Sequence, residues 1–137
     1  MKYKFFDHTA DVLFEAEGKT LNELFEAAAL ATEETQVDLK TVKPKITKKI
    51  TLEKDNVEML LFDFLQELIF LKDAERLLFS KFEIKIKEGY KLEAKLYGEI
   101  IDQKKHTLNV DVKAVTLHRF EVKKAKNGWF ARIILDI

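Results

Sequence analysis

Hydrophobic positions change period several times along the chain, and each change marks an element. Over residues 2–18, aromatic and β-branched residues flank a break at Asp7-His8-Thr9-Ala10-Asp11, which predicts two strands joined by a polar turn. Thr20 stands three residues before Glu23, a helix-capping spacing, and Leu21, Leu24, Phe25 and Ala28 follow at helical spacing to about Glu34. The pattern breaks between Val37 and Pro44. Ile46, Ile50 and Leu52 then mark a partly alternating strand, which Pro44 places at an edge or at a strand start. Asp55 or Asn56 can cap a second helix with Glu58 in its first turn. Its broad apolar face, from Leu60, Leu61 and Phe64 to Leu65, Leu68 and Leu71, makes it the main rod of the core.

From Phe82 the period drops to two. Phe82, Ile84 and Ile86 alternate with charges, Gly89-Tyr90 turns the chain, and Leu92, Ala94 and Leu96 return, which is a hairpin. A further strand is expected over 110–123, with Asn127-Gly128 supplying the positive-φ residues of a tight turn before a last strand over 129–137. Two strands, helix, strand, helix and four strands predict an α+β fold. One domain over 1–137 is expected, with two helices on one side of a largely antiparallel β-sheet whose other face is wet.

Composition narrows the function classes. The 137 residues are 47% hydrophobic with eleven Phe, enough for a real core. Twenty-four Lys and Arg balance 24 Asp and Glu, so there is no overall basic field for coating nucleic acid. The absence of Cys excludes disulfides, thiolate metal sites and a cysteine nucleophile. Residues 1–6 lack the pattern of a signal peptide and no run is long enough to span a bilayer, so the expected location is cytoplasmic, with no membrane partner.

Chemistry-bearing residues gather in three places. The 7–11 turn holds two carboxylates, an imidazole and a hydroxyl. Spacing alone fits side chains capping backbone N–H groups in the turn, or an oxygen-rich cation site, or an acid–base pair. At the other end, Asp136 precedes Ile137, whose terminal carboxylate can approach it. With Asp11 opposite they form a hard-cation site; without it they are a solvated end. Between these lie Gly98-Glu99-Ile100-Ile101-Asp102, His106, and the segment from Asp111 through Lys113 to His118. Strand alternation there puts Lys113 and His118 on opposite faces. Basic runs at 40–49 and 119–126 allow phosphate contact, but neither interleaves aromatics, so solvated Lys-blunted edges are the expectation. No phosphate-cradling Gly loop, nucleophile elbow or zinc pattern appears.

Three blocks together resemble one family, the archeases: D-H-T-A-D-V over 7–12, L-L-F-D-F-L-Q-E-L-I-F-L-K-D over 60–73, and D-V-K-A-V-T-L-H over 111–118. The last is followed by the terminal G-W-F-A-R-I-I-L-D-I, and G-E-x-x-D-x-x-x-H lies between, so the resemblance spans nearly the whole chain. It departs at Leu117, where an aromatic is expected before His118. The resemblance implies a non-catalytic accessory protein of an RtcB-type RNA ligase in tRNA splicing and RNA repair. Such a protein promotes guanylylation of the ligase and its multiple turnover. The GTP is used by the partner ligase, and RNA is contacted indirectly through it. The implied metal site maps onto Asp11, Asp136 and Ile137, the last through a main-chain or terminal oxygen. Calcium is the first expectation; Mg²⁺ and Mn²⁺ also suit these hard oxygens. Lys113 becomes the candidate facing the partner or its nucleotide, and Asp7, His8 and His118 the candidates to orient the ligating carboxylates. Two competing readings are a metal-dependent phosphohydrolase with His8 as base, and a general chaperone-like protein-binding module.

Overall fold

A computed structural model describes residues 1–7 and 10–137. The chain opens with strands β1 (Lys2–Phe6) and β2 (Asp11–Gly18), then helix α1 (Leu21–Gln36) and a short 3₁₀ turn (Leu39–Thr41). Strand β3 (Ile46–Glu53), helix α2 (Val57–Glu75) and strands β4 (Leu77–Lys87), β5 (Lys91–Ile100), β6 (Ala114–Ala125) and β7 (Gly128–Asp136) complete it. The α+β class and the element order are those expected. All strand pairs are antiparallel, but they divide into two sheets, ordered β1-β2-β7-β6 and β3-β5-β4, rather than one.

The helices explain that division. Ala27, Ala28, Ala29 and Ala31 of α1 are all fully buried, so this helix is covered on more than one side. It packs on β2 and β7 of one sheet and on β4 of the other, and α2 likewise reaches β6, β4 and β3. One sheet can cover only one side of a helix, and the small alanines admit the second. The capping residues act as their types predict: Thr20 Oγ1 accepts from Glu23 N at 3.2 Å, and Asn56 Oδ1 from Met59 N at 2.9 Å. The six apolar residues of the α2 face lie in the core at 1% exposure or less.

Each helix also closes a sheet edge. β4 is an edge strand, and α1 takes two of its N–H groups: Phe79 N donates to Glu33 Oε2 at 2.6 Å and Ile86 N to Asn22 Oδ1 at 2.9 Å. β6 is an edge too, and Gln66 of α2 accepts from Val115 N at 2.5 Å.

Three sequence expectations move. The strand expected from residue 110 starts at Ala114, because the segment before it is occupied with the end of α1. Asn109 N donates to Gln36 O at 2.8 Å, Val110 N to Thr35 O at 3.3 Å and Asn109 Nδ2 to Glu34 O at 3.0 Å, satisfying carbonyls that have no partner within the helix. Beyond Thr116 the β6–β7 register shifts until Glu121, with Arg119 at φ 55°, so strict alternation over 111–118 does not hold. Finally, Ala125 pairs with Gly128, so the last turn is Lys126-Asn127 and only Gly128 takes a positive φ.

The G-E-x-x-D-x-x-x-H block is a structural knot. The β4 bulge between Phe79 and Lys81 brings the Leu78 carbonyl over Gly98, where a Cβ would overlap it. Glu99, 6% exposed, accepts from Lys43 N at 2.8 Å and pairs with His106 Nε2 at 3.0 Å. Asp102 N donates to His106 Nδ1, so the ring hydrogen sits on Nε2 and points at Glu99. The Lys43 N–H and the His106 hydrogen bond hold the Glu99 carboxyl down to about 2. Gly98→Ala is expected to destabilise the fold by about 2 kcal/mol through overpacking against backbone; urea unfolding reads this as a lower midpoint at unchanged slope.

Candidate functional site

The strands carrying the two predicted carboxylates are direct neighbours. Asp11 opens β2, Asp136 closes β7, and the two residues are register partners. Opposed residues of an antiparallel pair project to the same face with Cβ atoms about 5 Å apart. Phe14 and Ala16, and Ile133 and Leu135, face the core by alternation, so Asp11 and Asp136 lie on the face turned away from the helices. Across that face the next row is Thr116, Ile134, Leu13 and Phe6, apolar but for the Thr116 hydroxyl, with Ile134 at 1% exposure. The carboxylates therefore sit at the end of the sheet with an apolar row behind them.

β7 is held in place from both sides. Ile137 packs its side chain against the core, which anchors the strand end and leaves only its main-chain oxygens to offer a cation. On the other side Ala114 is the partner of Asp136, and Lys113 N donates to Asp136 O at 2.7 Å. The start of β6 is pinned in turn by α2. Lys72 Nζ donates to Asp111 Oδ1 at 2.5 Å and to Val112 O at 2.7 Å, and pairs with Asp73 at 2.7 Å. Burial alone would lower the Lys72 pKa, but the hydrogen bonds to Asp111 and Asp73 outweigh it and hold the ammonium above the ordinary lysine range. Lys72 and Gln66 thus locate Lys113, exposed, beside Asp136. Neither supporting residue stands out in sequence, where both read as polar positions flanking the apolar stripe of α2.

The remaining predicted residues are distributed around this end. Asp7 lies one residue beyond the last β1–β2 pair, Phe6 with Leu13, and is exposed. His8 lies outside the described residues. His118 is exposed in the β6 bulge, beyond Thr116 and therefore past the apolar row, away from Asp136. Among the described residues, no three His, Cys, Asp or Glu side chains gather as a metal-binding group. The donor set still fits a hard cation: two registered carboxylates on one face, with main-chain oxygens of the strand end beside them.

The Archease protein family model matches residues 3–137. The chain belongs to the archease family. Its similarity to the protein archease of Pyrococcus abyssi is 39% identity over 140 residues, covering 99% of each chain. The protein archease of Thermococcus kodakarensis is 38% identical with the same coverage. Among solved structures, Methanobacterium thermoautotrophicum protein 1598 superposes with a TM-score of 0.83 at 37% identity, covering 98% of both chains. An archease of Thermotoga maritima, described as a possible chaperone, shares the fold at 21% identity and a TM-score of 0.70, covering 98% of this chain and 96% of that one. In this archease no described helix is long and apolar enough to cross a membrane.

Proposed function

We propose that this archease is a non-catalytic activator of an RtcB-type RNA ligase, acting through the Asp11–Asp136 end of its four-stranded sheet. The observation that carries the reading is the registered pairing of these two carboxylates, with Lys113 hydrogen-bonded through its main chain to Asp136. Asp11, Asp136 and the main-chain oxygen of Ile137 would hold a divalent cation, Ca²⁺ first, which would neutralise the opposed carboxylates. Lys113 offers a flexible ammonium beside that acidic tip, suited to a phosphate of the nucleotide that the ligase uses. The GTP and the joining chemistry belong to the ligase, and the cytoplasm is where the two would meet.

Multiple-turnover RNA ligation by the cognate RtcB-type ligase, with GTP and metal, tests this. Substoichiometric archease is expected to carry product well past one per ligase and to speed formation of guanylylated ligase. A folded archease that leaves both unchanged rejects the proposal. Phosphoester cleavage by the archease alone would instead favour the hydrolase reading.

A further inference from the structure

Some 24 Å along β2 from the acidic tip, at about 3.4 Å per residue, the four-stranded sheet ends in a cleft of different chemistry. Its volume is about 490 Å³, and it is lined by Lys2, Lys19, Lys123, Lys126, Trp129 and Phe130, with Glu17 its only acid. Read along the chain, the basic run at 119–126 holds one aromatic, Phe120, and that ring packs against Phe62 of α2. The hairpin register supplies others from across: Lys123 is the partner of Phe130, and Lys124 of Trp129. Lys123 Nζ stands 5.2 Å and Arg132 Cζ 5.9 Å from the Phe130 ring centre on the outer face, while Lys124 Nζ stands 5.8 Å from the ring of Trp129, which turns to the core face. Both rings are half-buried.

The charge here is in surplus. Lys2 answers Glu17 at 3.3 Å. Lys123 lies 3.6 Å from Glu121, but Glu121 also has Arg132 at 3.7 Å, so Lys123 can leave it without stranding the carboxylate. Lys19, Lys123 and Lys126 remain to meet an anion. The floor is backbone: Gly128, at φ 151°, lies so close to Gly18 O that a Cβ there would overlap it.

We propose that this cleft binds single-stranded RNA, with one base stacked on Phe130 and the flanking phosphates on Lys19, Lys123 and Lys126. An acidic peptide would satisfy the lysines but leave the Phe130 ring without a planar partner. A duplex keeps its base faces stacked inside, and only a single strand offers π-faces and phosphates together. The RNA contact is then direct, rather than made only through a partner as the family resemblance implies. This proposal does not depend on the ligase reading, since binding is measured on the archease alone.

Trp129 is the only Trp, so its fluorescence reports the cleft. Titration with an oligouridylate of about eight nucleotides is expected to quench it saturably. The logarithm of the affinity should fall against log salt with a slope of about −2, as three phosphate contacts predict. Lys123→Glu with Lys126→Glu, both at exposed positions, should weaken binding at least about tenfold, and Phe130→Leu at least about fivefold at unchanged slope. Circular dichroism confirms the fold of each variant. No quenching overturns the proposal. So does equal affinity for a duplex, or full competition by inorganic polyphosphate combined with an unaffected Phe130→Leu variant, since either leaves only charge.

Discussion

Asp136→Asn is expected to abolish ligase stimulation while leaving the free archease at least as stable as it was. The two effects separate because of where the carboxylate sits. Asp136 is the register partner of Asp11 on a half-buried sheet end, and like charges directly opposite one another destabilise a strand pair by a few tenths of a kcal/mol to about 1 kcal/mol. Replacing one of them by an isosteric amide removes that repulsion and keeps the main chain that receives the Lys113 hydrogen bond. A cation held between the carboxylates reverses the balance. At a concentration about a hundredfold above its dissociation constant it would stabilise the native state by about 2.7 kcal/mol. Wild-type protein is therefore expected to gain several degrees of thermal midpoint on addition of Ca²⁺ and to lose them to a chelator. Asp136→Asn and Asp11→Asn should gain little, and neither should support multiple turnover. A variant that shifts with metal and stimulates like wild type would sink the proposed role of this pair.

Element order and fold class were legible because period and capping residues are local signals. Thr20 and Asn56 each start a helix by their own side chains, and the turn at Gly89-Tyr90 follows from a period of two on either side. Two sheets were not legible, because nothing local says which strands pair; the clue was the alanine run in α1, which reads as a weak stripe until both of its sides are seen covered. The start of β6 was misplaced for a related reason. The apolar residues near 110 suggest a strand, yet the N–H groups of Asn109 and Val110 are taken by carbonyls that α1 leaves open, a contact made across some seventy residues of chain. At the site, the partnership of Asp11 with Asp136 required only that the second and last strands meet. Lys72 and Gln66 could not be singled out, since their work is to fix the chain beside the site and a polar residue next to an apolar stripe carries no mark of that. The same limit hid the aromatic lysine cleft, where the interleaving runs across a hairpin rather than along it.

Glu33 sets the largest expected effect on stability, and its sign depends on pH. The carboxyl is fully buried in α1, accepting from Phe79 N at 2.6 Å and from Gln36 Nε2 at 3.0 Å. Burial pushes it up to about 8, an effect that the Phe79 and Gln36 hydrogen bonds and the charge of Lys72 offset only in part. Gln36 Oε1 is a buried acceptor with no partner, and turning that amide over lets a protonated Glu33 donate to it. Because the folded carboxyl titrates above its unfolded value of 4.5, its contribution is complete below about pH 4.5 and is lost as pH rises towards 8. Glu99 runs the other way: held at about 2, it contributes above 4.5 and loses that contribution as pH falls towards 2. The two limbs meet, so the thermal midpoint should peak near pH 5, with an alkaline fall on the order of a few kcal/mol. Glu33→Ala strands the Phe79 N–H and opens a cavity, and should cost about 3 kcal/mol at that peak. Glu33→Gln keeps an acceptor for Phe79 but cannot ionise, so it should flatten the alkaline limb and overtake wild type near pH 8. A limb that persists unchanged in Glu33→Gln would mean that another group, not this carboxyl, sets it.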